Sequence, residues 1–309
     1  MSTPAIAKTE TNRWQPDSLL SGFEALTLTF PDDYDGAVVA TLVRLPVRQA
    51  PKGAVLYVHG FIDYFFQRHL AERFAAEGYA FYALDLRKHG RSMRPHQRPN
   101  FCKSINEYFA DITAALEIIA GPVVLIGHST GGLLSALYAH EGTRRDQIKA
   151  LWLNGPFLEF NVPPAQRWQL GIAAALGRIF PYLNNPRAVS PAYPKSLHRN
   201  YQGEWDFDLR LKPIEGFPAY YGWIRAIRQA HARAQAGLAI RCPVLSTHSD
   251  DADIVLNGRD IARYSPGLGP HVTVRAFPGA LHDVVLSKKE IREEALKTVF
   301  AWLERPSGK

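Results

Sequence analysis

The stretch Val123-Val124-Leu125-Ile126-Gly127-His128-Ser129-Thr130-Gly131-Gly132-Leu133-Leu134 runs from a short apolar segment through Gly-x-Ser-x-Gly into small residues that start a helix. A strand turning sharply into a helix projects the serine hydroxyl off the end of a sheet, away from its own backbone. Glycines two residues before and after it let strand and helix approach closely enough for that turn. A serine so placed is a candidate nucleophile toward a carbonyl carbon. The string alone is weak, because ordinary Gly and Ser frequencies produce it by chance in about one chain in ten of this length. Setting and partners have to decide, and the competing reading is a tight turn with a capping serine.

Outward from this stretch, short apolar runs alternate with amphipathic ones. Residues 54–58, 80–84, 123–126 and 148–153 read as buried strands, and 66–77, 104–120 and 129–140 as the helices between them. Such alternation gives a parallel sheet covered on both faces. Two alternating runs precede it, 23–30 and 37–45, joined by Pro31-Asp32-Asp33-Tyr34-Asp35-Gly36, and these form an antiparallel hairpin. The rhythm breaks over 157–240, a Pro- and aromatic-rich segment with helices expected at 165–180 and 219–236. It resumes with strands at 244–247 and 272–277 and a helix at 288–303, for which Ser287 and Glu290 have capping-box spacing and Ile291, Ala295, Val299 and Leu303 form a stripe. The expected class is therefore α/β: a sheet core of residues 1–156 and 241–309, interrupted by a mainly helical cap, 157–240.

A chain of 309 residues with 46% hydrophobic and 21% charged residues is long enough and ordinary enough to bury such a core. Its two cysteines, Cys102 and Cys242, form no disulfide framework and suit a reducing compartment. The first fifteen residues contain no apolar signal region, and no run approaches the roughly 18 apolar residues of a membrane span. The reading is cytoplasmic, with a loose tail to about Asn12. The formal charge of +7 owes much to residues 87–103, where Arg87, Lys88, Arg91, Arg94, Arg98 and Lys103 occur without an acid. This segment reads as a solvated loop, with contact to an anionic substrate or lipid as the alternative. No motif supports a nucleic-acid partner.

A serine hydroxyl needs a base. His282, in Pro278-Gly279-Ala280-Leu281-His282-Asp283, follows the 272–277 strand and so lies at the sheet rim that carries Ser129. His271 precedes that strand and falls at the opposite rim, and His128 is expected to point away from the nucleophile. The base needs a carboxylate to fix its tautomer. The 244–247 strand runs into His248-Ser249-Asp250-Asp251-Ala252-Asp253, where Asp253 is favoured because its distance from the strand leaves room for a loop to return. Asp250 and then Asp251 are the alternatives. The amides of Thr130, at a helix start, and of Phe61, in the loop His59-Gly60-Phe61-Ile62-Asp63, are the candidate oxyanion-hole donors.

With these residues in view the chain resembles the serine branch of the α/β-hydrolases that includes monoacylglycerol lipases, lysophospholipases and S33 aminopeptidase-like proteins. The matching segments are Tyr57-Val58-His59-Gly60, Asp85-Leu86-Arg87-Lys88-His89-Gly90-Arg91-Ser92, Gly127–Gly132 and Gly279-Ala280-Leu281-His282-Asp283, in the family's order of Ser, Asp and His. Lys88 stands where that family has a glycine, and relatives carry a glycine shortly before the acid. Serine at the turn argues against dehalogenase and epoxide-hydrolase relatives, which need a carboxylate there. No His-Glu-x-x-His, Cys/His cluster or Gly-x-Gly-x-x-Gly occurs, so no metal or cofactor is expected.

Substrate is read from the cap. Trp168, Ile172, Leu176 and Ile179 make one helical stripe, and Tyr220, Trp223, Ile224 and Ile227 another. Both are read as packing surface first, then as an acyl-binding wall or a transient membrane contact. A hydrophobic carboxylic ester of the monoacylglycerol or lysophospholipid kind is the favoured small-molecule partner. An S33-type peptidase, with Glu159, Glu204 or Asp206 receiving a free amine, and a catalytically silent binding protein are the alternatives.

Overall fold

A computed structural model describes residues 13–47, 49–185, 190–250 and 253–305. The amino-terminal tail and Asp251 lie outside the described residues. Nine strands form one sheet in the order β1-β2-β3-β5-β4-β6-β7-β10-β11. β1 (Gln15–Pro16), β2 (Glu24–Asp33) and β3 (Gly36–Arg44) are antiparallel, and β3 also pairs antiparallel with β5 (Tyr79–Asp85). From β5 the sheet is parallel, through β4 (Gly53–Val58), β6 (Val123–His128), β7 (Ile148–Asn154), β10 (Val244–Ser249) and β11 (Val272–Phe277).

Strand residues alternate between two apolar clusters, as a pleated backbone requires. Ala54, Leu56, Val58, Val123 and Leu125 face one cluster, which also holds Ile112 and Leu116 of α2 (Phe109–Ile118), Leu133 and Leu137 of α3 (Thr130–Glu141) and Ile261 of α7 (Gly258–Tyr264). Val55, Tyr57, Val124 and Ile126 face the other, with Leu70 and Phe74 of α1 (Arg68–Ala76) and Val299 and Phe300 of α8 (Lys289–Leu303). Both faces are thereby sealed, and loops at the carboxyl ends of the parallel strands are left as the place for chemistry.

β7 and β10 are neighbours, yet some 90 residues of sequence separate them. In that excursion lie α4 (Arg167–Ile179), α5 (Ala192–Leu197), α6 (Tyr221–Gln235) and a two-stranded antiparallel pair, β8 (Asn184–Asn185) with β9 (Ala219–Tyr220). The two apolar stripes behave differently. Trp223 and Ile227 of α6 are 5% and 0% exposed, whereas Trp168 and Ile179 of α4 are 62% and 70% exposed. The α6 stripe packs on the core; the α4 stripe faces outward.

Three expectations are corrected by tertiary contacts. The helix at 104–120 is broken into a 3₁₀ turn, Ile105–Tyr108, closed by a Ser104/Glu107 capping box, and then α2. Ser287 does not cap α8; its buried hydroxyl accepts the Leu281 amide at 2.9 Å, and Lys288 occupies the cap position. The basic segment is no solvated loop. Arg87 pairs with Asp111, Lys88 with Asp33 and Asp35, and Arg91 with Asp17 and Asp85, and these pairs are largely buried. Arg98 closes on Asp35 as well.

Candidate active site

Ser129 sits at the junction of β6 and α3 with φ 54° and ψ −119°, a conformation that costs a non-glycine residue about 1–3 kcal/mol. The fold holds it there through its backbone: its amide donates to the Asn154 carbonyl, and its carbonyl accepts from Gly132, Leu133 and Phe157. The flanking glycines are sterically required. A methyl on Gly127 would fall 2.5 Å from the Gly131 carbonyl oxygen, and one on Gly131 would fall 2.3 Å from the His59 carbonyl oxygen. Thr130 is the first residue of α3, so its amide has no intrahelical acceptor and faces outward with the positive end of the helix.

The loop after β4 closes on the serine. Gly60 lies so near that a methyl there would be 2.9 Å from Ser129 Cβ, which puts the Gly60–Phe61 peptide beside the nucleophile candidate. The Phe61 ring stacks on Trp223 of α6 at 4.0 Å. Two residues on, Asp63 forms a buried ion pair of 2.7 Å with Lys212. Burial would raise the Asp63 carboxyl, but the Lys212 ammonium holds it below the usual range.

His282 follows β11 on a turn opened by Gly279 at φ 73°. Its Nδ1 lies 3.0 Å from Asp253 Oδ2, with both side chains buried. Its Nε2 is buried without a hydrogen-bond partner, a nitrogen available to a hydroxyl proton. Asp253 Oδ1 accepts the Val255 and Leu256 amides at 2.7 and 3.2 Å. Burial opposes its charge, but His282 and these two amides outweigh burial and lower its pKa, so the carboxylate stays ionised beside the imidazole. Asp250 instead accepts the Gly279 amide at 3.3 Å. Gly155, at φ 56°, lets β7 pass under the histidine, since a methyl there would be 2.6 Å from the His282 carbonyl oxygen.

Several residues around this centre were not among the candidates drawn from the sequence. Asp283 is buried and accepts from Asn154, Gln67 and Val285, anchoring the turn behind His282. Tyr193 of α5 packs edge-on to the His282 ring at 5.5 Å and accepts the Asp283 amide at 3.0 Å. His128 does not turn away from the centre: its ring lies 4.9 Å from that of His282, and burial holds its imidazole below the ordinary value and hence neutral. His271 is exposed at the far end of β11. Among the described residues, no group of three or more His, Cys, Asp or Glu side chains is placed to hold a metal ion.

A mostly parallel sheet with covered faces, a strained serine at the strand–helix turn and a His–Asp pair at the same rim give the chain the architecture of the α/β-hydrolase fold. Residues 49–289 match the family described as serine aminopeptidase, S33, and the chain belongs to that family. It is 25% identical to a monoacylglycerol lipase of Mycolicibacterium smegmatis over 266 residues, covering 82% of this chain and 88% of the relative. Its fold is similar to that of a soluble variant of monoglyceride lipase from Saccharomyces cerevisiae solved with a substrate analogue, with a TM-score of 0.71, 20% identity, and 90% and 96% of the two chains covered. It is also similar to a monoacylglycerol lipase of Paleococcus ferrophilus, with a TM-score of 0.66, 24% identity, and 85% and 98% covered.

Proposed function

We propose that the protein is a carboxylic-ester hydrolase that cleaves a hydrophobic monoester by way of an acyl-enzyme on Ser129. The observation that carries this is the His282 imidazole, with Nδ1 on the buried Asp253 carboxylate and a buried, unpartnered Nε2 at the rim that holds Ser129. In the proposed cycle Ser129 Oγ adds to the ester carbonyl as its proton passes to His282 Nε2. Asp253 stabilises the imidazolium, and the Phe61 and Thr130 amides receive the oxyanion. Collapse expels the alcohol, which takes the proton from His282. Water then repeats the sequence and releases the acid, so no cofactor is consumed.

The similarity to a monoacylglycerol lipase supports a fatty monoester. A neutral head group is favoured over a lysophospholipid's, because Arg87, Lys88 and Arg91 are spent in internal ion pairs. The peptidase alternative finds little support in the cap acids: Glu204 pairs with Arg292, Asp206 with Arg199, and Glu159 bonds Gln235. Residues 157–240 act as a cap in this reading, and the outward apolar face of α4 makes transient contact with a membrane surface from which substrate is drawn. Among the described residues no helix is long and apolar enough to cross a membrane. Free Cys102 and Cys242 fit a cytoplasmic setting.

The test is a panel of p-nitrophenyl esters of rising chain length, monoacylglycerol, lysophosphatidylcholine and aminoacyl anilides, with Ser129→Ala as control. The expected result is turnover of esters and monoacylglycerol, abolished in Ser129→Ala, with fluorophosphonate labelling of the wild type alone. Equal inertness of both proteins and no label would sink the enzyme reading, and preferential anilide cleavage would move it to the peptidase.

A further inference from the structure

Among the described residues, four that are not glycine adopt left-handed backbone conformations: Ile62 (φ 51°), Lys88 (62°), Asn100 (59°) and Ser129 (54°). Such strain persists only where surrounding contacts over-determine it, and a β-branched residue like Ile62 is the most unfavourable of the four. One of them is the proposed nucleophile. The other three are joined to each other by hydrogen bonds, and the series ends on the loop that carries Phe61. The Ile62 amide donates to Asn100 Oδ1 at 2.9 Å, in a buried setting. Asn100 in turn donates from its backbone amide and from Nδ2 to the Lys88 carbonyl, at 3.0 and 3.1 Å. The Lys88 side chain is wholly buried and its ammonium is held by Asp33 at 2.9 Å and Asp35 at 2.7 Å, in the turn between β2 and β3.

We propose that Asn100, seated on Lys88, is a positioning residue for the oxyanion hole, aiming the Phe61 amide by holding the peptide that follows it. The inference rests on the reading of Phe61 as an oxyanion donor. Two peptides have to be fixed for the Phe61 N–H to point one way. The first is held at its carbonyl: His59 Nδ1 bonds the Gly60 oxygen at 2.8 Å, while His59 Nε2 accepts the Leu86 amide, which fixes the proton on Nδ1. In a trans peptide the Phe61 N–H then points opposite to that oxygen. The second peptide, Phe61–Ile62, is held at its amide by Asn100. With that bond absent, Ile62 is free to relax out of the left-handed region, and the rotation carries the Phe61 N–H with it. Lys88 is itself kept left-handed by the burial of its ammonium between the two aspartates.

Asn100→Gly keeps the left-handed backbone and removes the acceptor. Asn100→Ser, too short to reach Ile62, asks the same question on a different backbone. Removing an oxyanion donor outright costs about 10²–10³ in kcat, so misaiming one is expected to cost about 10- to 100-fold in kcat on a p-nitrophenyl ester, with KM within about twofold. Affinity for a trifluoromethyl ketone, whose hemiketal oxyanion occupies the same hole, should weaken by the same factor. A purely structural role would lower the melting temperature without this matched loss. The inference is overturned if either acceptor-less variant, folded by circular dichroism, keeps wild-type kcat and hemiketal affinity. Failure of the underlying site reading looks different, as inertness of the wild type itself or equal activity of Ser129→Ala.

Discussion

Asp253→Asn is expected to lower kcat by about 30-fold to about 2.5 × 10⁴-fold while leaving the fold intact, and the geometry says why. The carboxamide has one oxygen where the carboxylate has two. Val255 and Leu256 amides both donate to Oδ1, so the amide oxygen belongs on that side. Its NH₂ then faces His282 Nδ1, which in the wild type lies 3.0 Å from Oδ2. An NH₂ there donates, Nδ1 must accept, and the ring proton moves to Nε2, where it blocks uptake of the serine proton. Flipping the amide would restore the productive tautomer but leave two buried backbone donors unmet, at about 1–3 kcal/mol each. At about 1.36 kcal/mol per tenfold, the resulting 2–6 kcal/mol leaves the productive form at about one part in 30 to about one in 2.5 × 10⁴. The assay is steady-state hydrolysis of a p-nitrophenyl ester at neutral pH, with melting temperature measured alongside. Asp250→Asn is the comparison, because Asp250 accepts the Gly279 amide while His282 Nδ1 is held by Asp253, and a loss within about threefold is expected there. Retention of more than about a tenth of kcat in Asp253→Asn, or an equal collapse in Asp250→Asn, would refute the reasoning.

Gly60→Ala should cost about 10- to 100-fold in kcat by pushing the Phe61 loop off Ser129; undiminished kcat would mean the loop is not held against the serine as its 2.9 Å approach requires. Trp168→Ser combined with Ile179→Ser should reduce co-sedimentation with phospholipid vesicles and turnover of dispersed monoacylglycerol, while hydrolysis of a soluble short-chain ester persists. Unchanged vesicle binding would dispose of the α4 contact. Burial pushes the His231 imidazole down to about 4, against partial lifts from Glu159 and the Phe157 carbonyl. Between about 4 and the unfolded value near 6.5 the unfolded chain binds a proton that the folded chain does not. Stability therefore falls on acidification through that window, at up to about 1.36 kcal/mol per pH unit from this residue. Thermal melts at pH values from about 7 to 5 should show a shallower decline for His231→Gln than for wild type, and parallel declines would contradict the assignment.

The parts of the fold set by local pattern were legible in the sequence. β6, the Gly127–Gly131 turn and α3 follow from an apolar run, two obligatory glycines and small residues, all adjacent in the chain. What depended on distant partners was not. Arg87, Lys88 and Arg91 read as solvated because, apart from nearby Asp85, their carboxylates, Asp111, Asp33, Asp35 and Asp17, come from three other places in the chain. The α4 and α6 stripes have the same periodicity, and only tertiary packing buries one and exposes the other. The candidate acids were visible as a cluster, but bringing Asp253 rather than Asp250 to His282 is a property of how the loop folds back through the Val255 and Leu256 amides. Asn100 and Tyr193 carry no motif at all. Their neighbours in space are tens of residues away in sequence, and short-range spacing holds no information about them.

The stack of Phe61 on Trp223 has a consequence for anyone who would exchange the segment between β7 and β10 for that of another protein. The ring from the core loop and the ring from α6 lie 4.0 Å apart, so the outer half of the molecule forms part of the wall against which an inner backbone amide is set. A graft that brought in a foreign α6 without its matching partner at position 61 would alter the seat of the Gly60–Phe61 loop beside Ser129. The two positions form one packing unit, and chimaeras should be cut so that they travel together.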